Sequence, residues 1–208
     1  MAQYFSVHPF NPQPRLLRQA AQLLGKSGLV AIPTDSSYAV VAALDDKRAA
    51  EALRRLRGVD ERHHLTLLVA DLSEIGQLAR VDNKQYRLLK AAMPGAFTFI
   101  MQATHEVPRR LSHPSRKTIG VRMPDHPVVR ELLKETGPLL SSTLIPPGET
   151  EALNDPVEIR ARFEHELAAV IEGGPCPNRS TTVVDLTGPA PEVLRLGRGD
   201  PKLIGIEG

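Results

Sequence analysis

An α/β fold with a twisted sheet of mixed parallel and antiparallel strands, flanked by helices, is what the sequence predicts, on three observations. Short apolar runs of strand length alternate with stretches of helical periodicity through the first half of the chain. From Thr118 onward the strand-like runs crowd together with fewer helices between them, which departs from the strict alternation of an all-parallel sheet. No internal repeat, low-complexity tract or linker composition interrupts the chain. Its 208 residues, 41% hydrophobic, are therefore expected to form one domain over 1–208.

Asn11 before Pro12 fits a helix start, and Leu16, Leu17, Ala20, Leu23 and Leu24 then share one helical face until Gly25 and Gly28. Leu29-Val30-Ala31-Ile32, stopped by Pro33, reads as a strand buried on both faces. Asp45 or Asp46 caps a second helix whose Ala49, Ala50, Leu53 and Leu56 face inward. Leu65 to Ala70 is the next expected strand. Asp71 to Leu78 and Asp82 to Met93 are expected helices, the second closed by Pro94-Gly95. Further strands are expected at Phe97 to Met101, Thr118 to Arg122, Pro138 to Ile145, Ala168 to Ile171, Thr181 to Leu186 and Glu192 to Leu196. Helices capped near Asp125 and at Asn154-Asp155-Pro156 fall between some of them.

No run approaches the roughly eighteen apolar residues of a spanning helix, and the N-terminus lacks a signal-peptide plan, so a cytoplasmic location without membrane contact is expected. The single cysteine, Cys176, excludes an internal disulfide and a cysteine-based zinc cluster. Net charge is only +2, but its distribution is uneven. Acidic residues crowd Glu149 to Glu172, whereas Arg54, Arg55, Arg57 and Arg62, then Arg109, Arg110, Arg116, Lys117 and Arg122, form two basic clusters.

Four segments carry candidate chemistry. Pro33-Thr34-Asp35-Ser36-Ser37-Tyr38 leaves the carboxyl end of a strand, where an open α/β sheet places its ligand crevice. Arg55-Leu56-Arg57-Gly58, followed by Arg62, His63 and His64, offers guanidinium groups suited to phosphate. The adjacent histidines point in different directions and find no third ligand, so no metal site is expected there. Alternation over Lys117 to Arg122 sets Ile119 and Val121 on one face and Thr118, Gly120 and Arg122 on the other. Ser180-Thr181-Thr182, with Arg195 on the following strand, can bracket a phosphate. No Walker-type loop, Gly-x-Gly-x-x-Gly or Gly-x-Ser-x-Gly is present, which weakens standard nucleotide-fold and hydrolase readings.

Taken in order, Pro33-Thr34-Asp35-Ser36-x-Tyr38, Pro94-Gly95-x-x-Thr98, Thr118-x-Gly120-x-Arg122-x-Pro124, Pro138-Leu139-x-Ser141, Gly173-Gly174, Ser180-Thr181-Thr182-Val183-x-Asp185-Leu186 and Arg195-x-Gly197 resemble the YrdC/YciO family. The resemblance runs from about Leu16 to Gly197 and implies a large, positively charged hollow on one side of the sheet. It also implies one of two activities. One is synthesis of threonylcarbamoyl-AMP from ATP, L-threonine and bicarbonate, a nucleotidyltransferase reaction linked to tRNA modification, with Mg²⁺ accompanying ATP. The alternative is binding of double-stranded RNA, tRNA or rRNA without robust synthesis. By position it assigns Thr34 and Arg122 to threonine, and Arg55, Arg57, Thr98, Ser141, Thr143, Ser180 and Arg195 to ATP. The RNA alternative rests on Arg54, Arg62, Arg109, Arg110, Arg116 and Lys117. Where the synthases carry Lys-x-Arg and Ser-x-Asn, this chain has Arg55-Leu56-Arg57 and Thr143-Leu144-Ile145, which is closer to the YciO branch.

Overall fold

A computed structural model describes residues 1–206. Its strands are β1 (Gln3–Ser6), β2 (Val30–Ile32), β3 (Ala39–Ala43), β4 (Thr66–Leu68), β5 (Phe97–Gln102), β6 (Thr118–Arg122), β7 (Leu139–Thr143), β8 (Ala169–Glu172), β9 (Thr182–Asp185) and β10 (Glu192–Arg195). They form one sheet in the order β1-β8-β2-β3-β7-β4-β6-β5-β9-β10. Parallel pairs (β1 with β8, β2 with β8, β4 with β6, β5 with β9) are interleaved with antiparallel ones, so the sheet is mixed, as the sequence predicts.

The helices are α1 (Pro14–Leu24), α2 (Lys47–Arg57), α3 (Leu72–Leu78), α4 (Asn83–Ala92), α5 (Pro127–Thr136) and α6 (Pro156–Arg162). Most begin as side-chain chemistry dictates. Asp46, Asp71 and Asp155 each accept from backbone amides of the first turn, and Asp82 forms a reciprocal box with Gln85. Two expected boundaries shift. Helix α1 starts at Pro14 rather than Pro12, because proline fits the first helical turn at either position and the chain uses the later one. Helix α5 is capped by His126, whose Nδ1 accepts from the Val128 amide at 3.2 Å, rather than by Asp125.

Helices α1 and α5 cover one face of the sheet. Leu17, Ala20, Leu24, Val128, Leu132 and Leu133 pack there on Ile32, Val41, Leu68, Leu139 and Ile171. The opposite face carries the larger core, in which Leu53 of α2, Ile75 of α3 and Leu89 of α4 meet Val40, Leu67, Phe99, Val121 and Leu140.

The face under α1 and α5 changes character where those helices end. Ser141 lies two residues after Leu139, and Thr66 two before Leu68, so both continue that face. Thr66 is in register with Ser141 on one side and Gly120 on the other, and Gly120 with Ile100. On three neighbouring strands Ser141, Thr66 and Gly120 therefore replace the apolar packing, with Ile100 beside them on a fourth.

Candidate functional site

Residues 33–38, between β2 and β3, are all buried, although four of the six are polar. A buried loop must have its polar groups satisfied, and this one does so locally. Thr34 Oγ1 accepts from the amides of Ser36 (3.1 Å) and Ser37 (3.2 Å) and donates to the Ser37 carbonyl at 2.6 Å. Asn154 Oδ1 accepts from the Tyr38 amide, the Arg179 amide donates to the Ser36 carbonyl, and the Arg198 guanidinium donates to the Asp35 carbonyl. The Tyr38 hydroxyl donates to the Ile171 carbonyl at 3.0 Å, and burial raises its pKa, so it stays protonated.

Arg122, at the end of β6, ties this loop to the open row. Its Nη2 forms an ion pair with Asp35 and donates to Thr34 Oγ1 (3.1 Å) and Ser36 Oγ (3.0 Å). The other oxygen of Asp35 accepts from the Asp125 amide at 3.0 Å. Arg122 Nε is buried and has no hydrogen-bond partner among the described residues. A buried N–H of a charged group without an acceptor is costly.

Two further guanidinium groups converge on the same space. Arg57 closes α2, whose chain then turns at Gly58 in a left-handed conformation (φ 63°) that a side chain would strain. Arg57 is 8% exposed, and its Nε donates to Ser142 Oγ at 3.0 Å. No carboxylate among the described residues pairs with it, and burial lowers its pKa below the ordinary arginine value without threatening its charge. Arg195 of β10 donates to the Thr181 carbonyl (3.2 and 3.1 Å), and Thr181 Oγ1 lies 2.9 Å from Thr98 Oγ1. Burial, then the nearby Arg122, depress the Arg195 pKa too.

Together these groups line a cavity of about 340 Å³ with Arg62, His63, His64, Thr66, Ile100, Gly120, Ser141, Thr143, Ile145 and Val183. No Asp or Glu is among its lining residues. Gly120 forms its floor because nothing larger fits there. A Cβ would lie 2.8 Å from Thr66 Oγ1 and 3.2 Å from the Leu65 carbonyl oxygen. Positive charge, hydroxyl donors and a bare floor make a receptor for a polyanion.

Of the positions assigned to ATP, the structure gathers Arg57, Thr98, Ser141, Thr143 and Arg195 in this cavity. Arg122 lines it as well, while Thr34 stands directly behind Arg122. Arg55 is not brought there. It is exposed and borders a separate cleft with Leu29, Phe163 and Glu166, because residues two apart on a helix point about 200° from each other. Ser180 borders a smaller adjoining hollow that shares Thr143 and Ile145 with the main one. Sequence reasoning passed over Ser142 and Thr66, whereas Thr181 belongs to the Ser180-Thr181-Thr182 segment it singled out. The missed signal for Thr66 was strand parity with Leu68.

The positions assigned to RNA divide. Arg62 lines the cavity, while Arg109, Arg116 and Lys117 are exposed. Arg54 and Arg110 donate to the carbonyls of Asp60 (2.6 Å) and Asp45 (2.8 Å) and so brace loops. Cys176 lies near Thr34, with burial pushing its thiol up to about 11, a protonated and unreactive state at neutral pH. No group of three or more metal-ligating side chains, and no helix long and apolar enough to cross a membrane, occurs among the described residues.

Comparison with known proteins places this geometry. The uncharacterized protein YciO of Escherichia coli is 44% identical over 203 residues, covering 97% of this chain and 98% of that protein. Its crystal structure superposes with a TM-score of 0.94 over 98% of this chain and 100% of that one. The human threonylcarbamoyl-AMP synthase is 30% identical over 181 residues, 83% of this chain and 63% of that protein. The crystal structure of P. abyssi Sua5 complexed with L-threonine, at 24% identity, shares the fold with a TM-score of 0.89 over 97% of this chain and 61% of that one. Residues 22–197 match the Sua5/YciO/YrdC family model, described as telomere recombination, and the chain belongs to that family.

Proposed function

We propose that the hollow binds the phosphates of ATP beside L-threonine and bicarbonate, and that the protein forms threonylcarbamoyl-AMP at a slow rate. The observation that carries this reading is the convergence of Arg57, Arg122 and Arg195 on one cavity without a carboxylate in its lining. The reaction needs no protein nucleophile. The amine of threonine and bicarbonate give a carbamate and water. A carbamate oxygen then attacks the α-phosphorus, the bond from that phosphorus to the bridging oxygen breaks, and pyrophosphate departs with the electron pair. What remains for the protein is alignment and stabilisation of charge, the work of fixed guanidinium and hydroxyl donors.

In this reading Arg122, which holds Thr34 and Asp35 and lines the cavity, supplies positive charge to the carboxylate or carbamate. Arg57 and Arg195 take the phosphates, with Thr98, Ser141 and Thr143 as hydroxyl partners. The lining does not fit a resident magnesium ion, since both oxygens of the nearby Asp35 are engaged. Mg²⁺ would arrive on the triphosphate as part of the substrate. Ile145 lines the wall where the resemblance calls for an amide. One lost hydrogen bond to a charged group costs about 1.5–3 kcal/mol, hence the slow rate.

The RNA reading draws on fewer groups. Arg54 and Arg110 are committed to backbone carbonyls, which leaves Arg109, Arg116 and Lys117 as exposed cations outside the cavity lining.

The test is mass-spectrometric detection of threonylcarbamoyl-AMP from purified protein, ATP, L-threonine and bicarbonate. Product is expected only with all three substrates present, and expected to be lost in Arg57→Ala. Pyrophosphate release that ignores threonine or bicarbonate contradicts the proposal.

A further inference from the structure

At the mouth of the cavity the His64 ring stacks on His113, with centroids 5.2 Å apart and planes inclined by 30°. His64 Nε2 lies 2.8 Å from Thr118 Oγ1 at the start of β6. His113 Nδ1 accepts from the Arg116 amide at 3.2 Å, which places the proton of its neutral ring on Nε2. His64 shares the cavity lining with Arg57, Arg62, His63, Arg122 and Arg195.

We infer that binding of a phosphate anion in the hollow is coupled to uptake of a proton by His64, whose ring lies against His113. The coupling rests on the anion-binding reading of the hollow and not on the synthase reaction. Arginines from several elements line the same cavity as His64: Arg57 of α2, Arg62 of the segment before β4, Arg122 of β6 and Arg195 of β10. Arg116, in the segment before β6, and the rings of His113 and His63 act on His64 against its charged form. The acid acting on His64 is Asp185 at the end of β9, which favours the charged form. In the empty site burial, then His113, Arg116 and His63, hold the His64 imidazole below its ordinary value, so it is neutral near pH 7. A polyphosphate in the cavity opposes the surrounding positive charge and raises the pKa of His64. The linkage then runs in one direction. The anion binds more tightly as pH falls through the pKa of the occupied state, and each binding event draws protons from the buffer.

Isothermal titration calorimetry with inorganic pyrophosphate, at pH 6.5 in buffers of different ionisation enthalpy, reads this directly. Wild-type protein is expected to take up more protons per bound anion than His64→Gln, by a fraction of a proton. Glutamine can still hydrogen-bond Thr118, and the titration of pyrophosphate itself cancels in the difference. Equal uptake by the two proteins overturns the coupling, as does failure of the wild type to bind. If the variant does not bind, histidine NMR of the wild type decides the matter. An upward shift of the His64 titration on adding pyrophosphate supports the coupling, and an unmoved titration overturns it. Proton uptake without threonylcarbamoyl-AMP formation would remove the proposed reaction and leave the coupling standing.

Discussion

Asp35→Ala is expected to cost about 3–5 kcal/mol of folding stability, read as a lowered urea midpoint. The reason is local. Asp35 and Arg122 are 7% and 5% exposed, and Asp35 is the sole acidic partner of that guanidinium among the described residues. Removing the carboxylate leaves a buried charge facing two hydroxyls and two further arginines. The same change withdraws the acceptor of the Asp125 amide. The companion variant separates charge from packing. Asp35→Ala/Arg122→Met is expected to recover much of the loss, because a buried pair replaced whole by apolar groups is far less costly than one that is broken. A single variant within about 1 kcal/mol of wild type would mean that the pair does not hold the loop.

Arg57→Met is expected to do the reverse. Its guanidinium is buried against one neutral partner, Ser142, with no acid to offset the loss of water. Methionine should leave stability unchanged or raise it by about 0.5–2 kcal/mol, the usual sign when a functional group is held at the expense of the fold. Affinity for pyrophosphate or ATP should fall about tenfold to hundredfold, the value of a charged hydrogen bond removed from a ligand. A variant that binds as well as wild type would take Arg57 out of the site. A strongly destabilised one would make it a structural residue.

The starts of α2, α3, α4 and α6 were legible because capping is local. Asp46, Asp71, Asp82 and Asp155 each stand immediately before an amphipathic run, and their side chains bond where the spacing says they should. The face of β6 that carries Gly120 and Arg122 was legible for the same reason, since alternation needs no tertiary information. Strand β3 was not. Ala39 to Ala43 is an unbroken run of Ala and Val, buried on both faces, with no period to mark it and no turn residue between it and the loop before it. Strand β1 is four residues at the edge of the sheet, held by β8 from far along the chain. Arg55 and Arg57 looked equivalent as letters, but helical geometry separates them. The partnership of His64 with His113 depends on how the segment before β6 folds back, which no local pattern encodes. Ser141 and Ser142 alternate on β7, yet both border the cavity, Ser142 through its bond to Arg57.

The account depends on a single anion receptor between Arg57, Arg122 and Arg195. A crystal structure of the protein grown with inorganic pyrophosphate tests it most directly. Pyrophosphate oxygens within hydrogen-bond distance of Arg57 and Arg195, on the face floored by Gly120, are the predicted result. Pyrophosphate bound elsewhere on the protein, with this cavity holding solvent, would contradict the account.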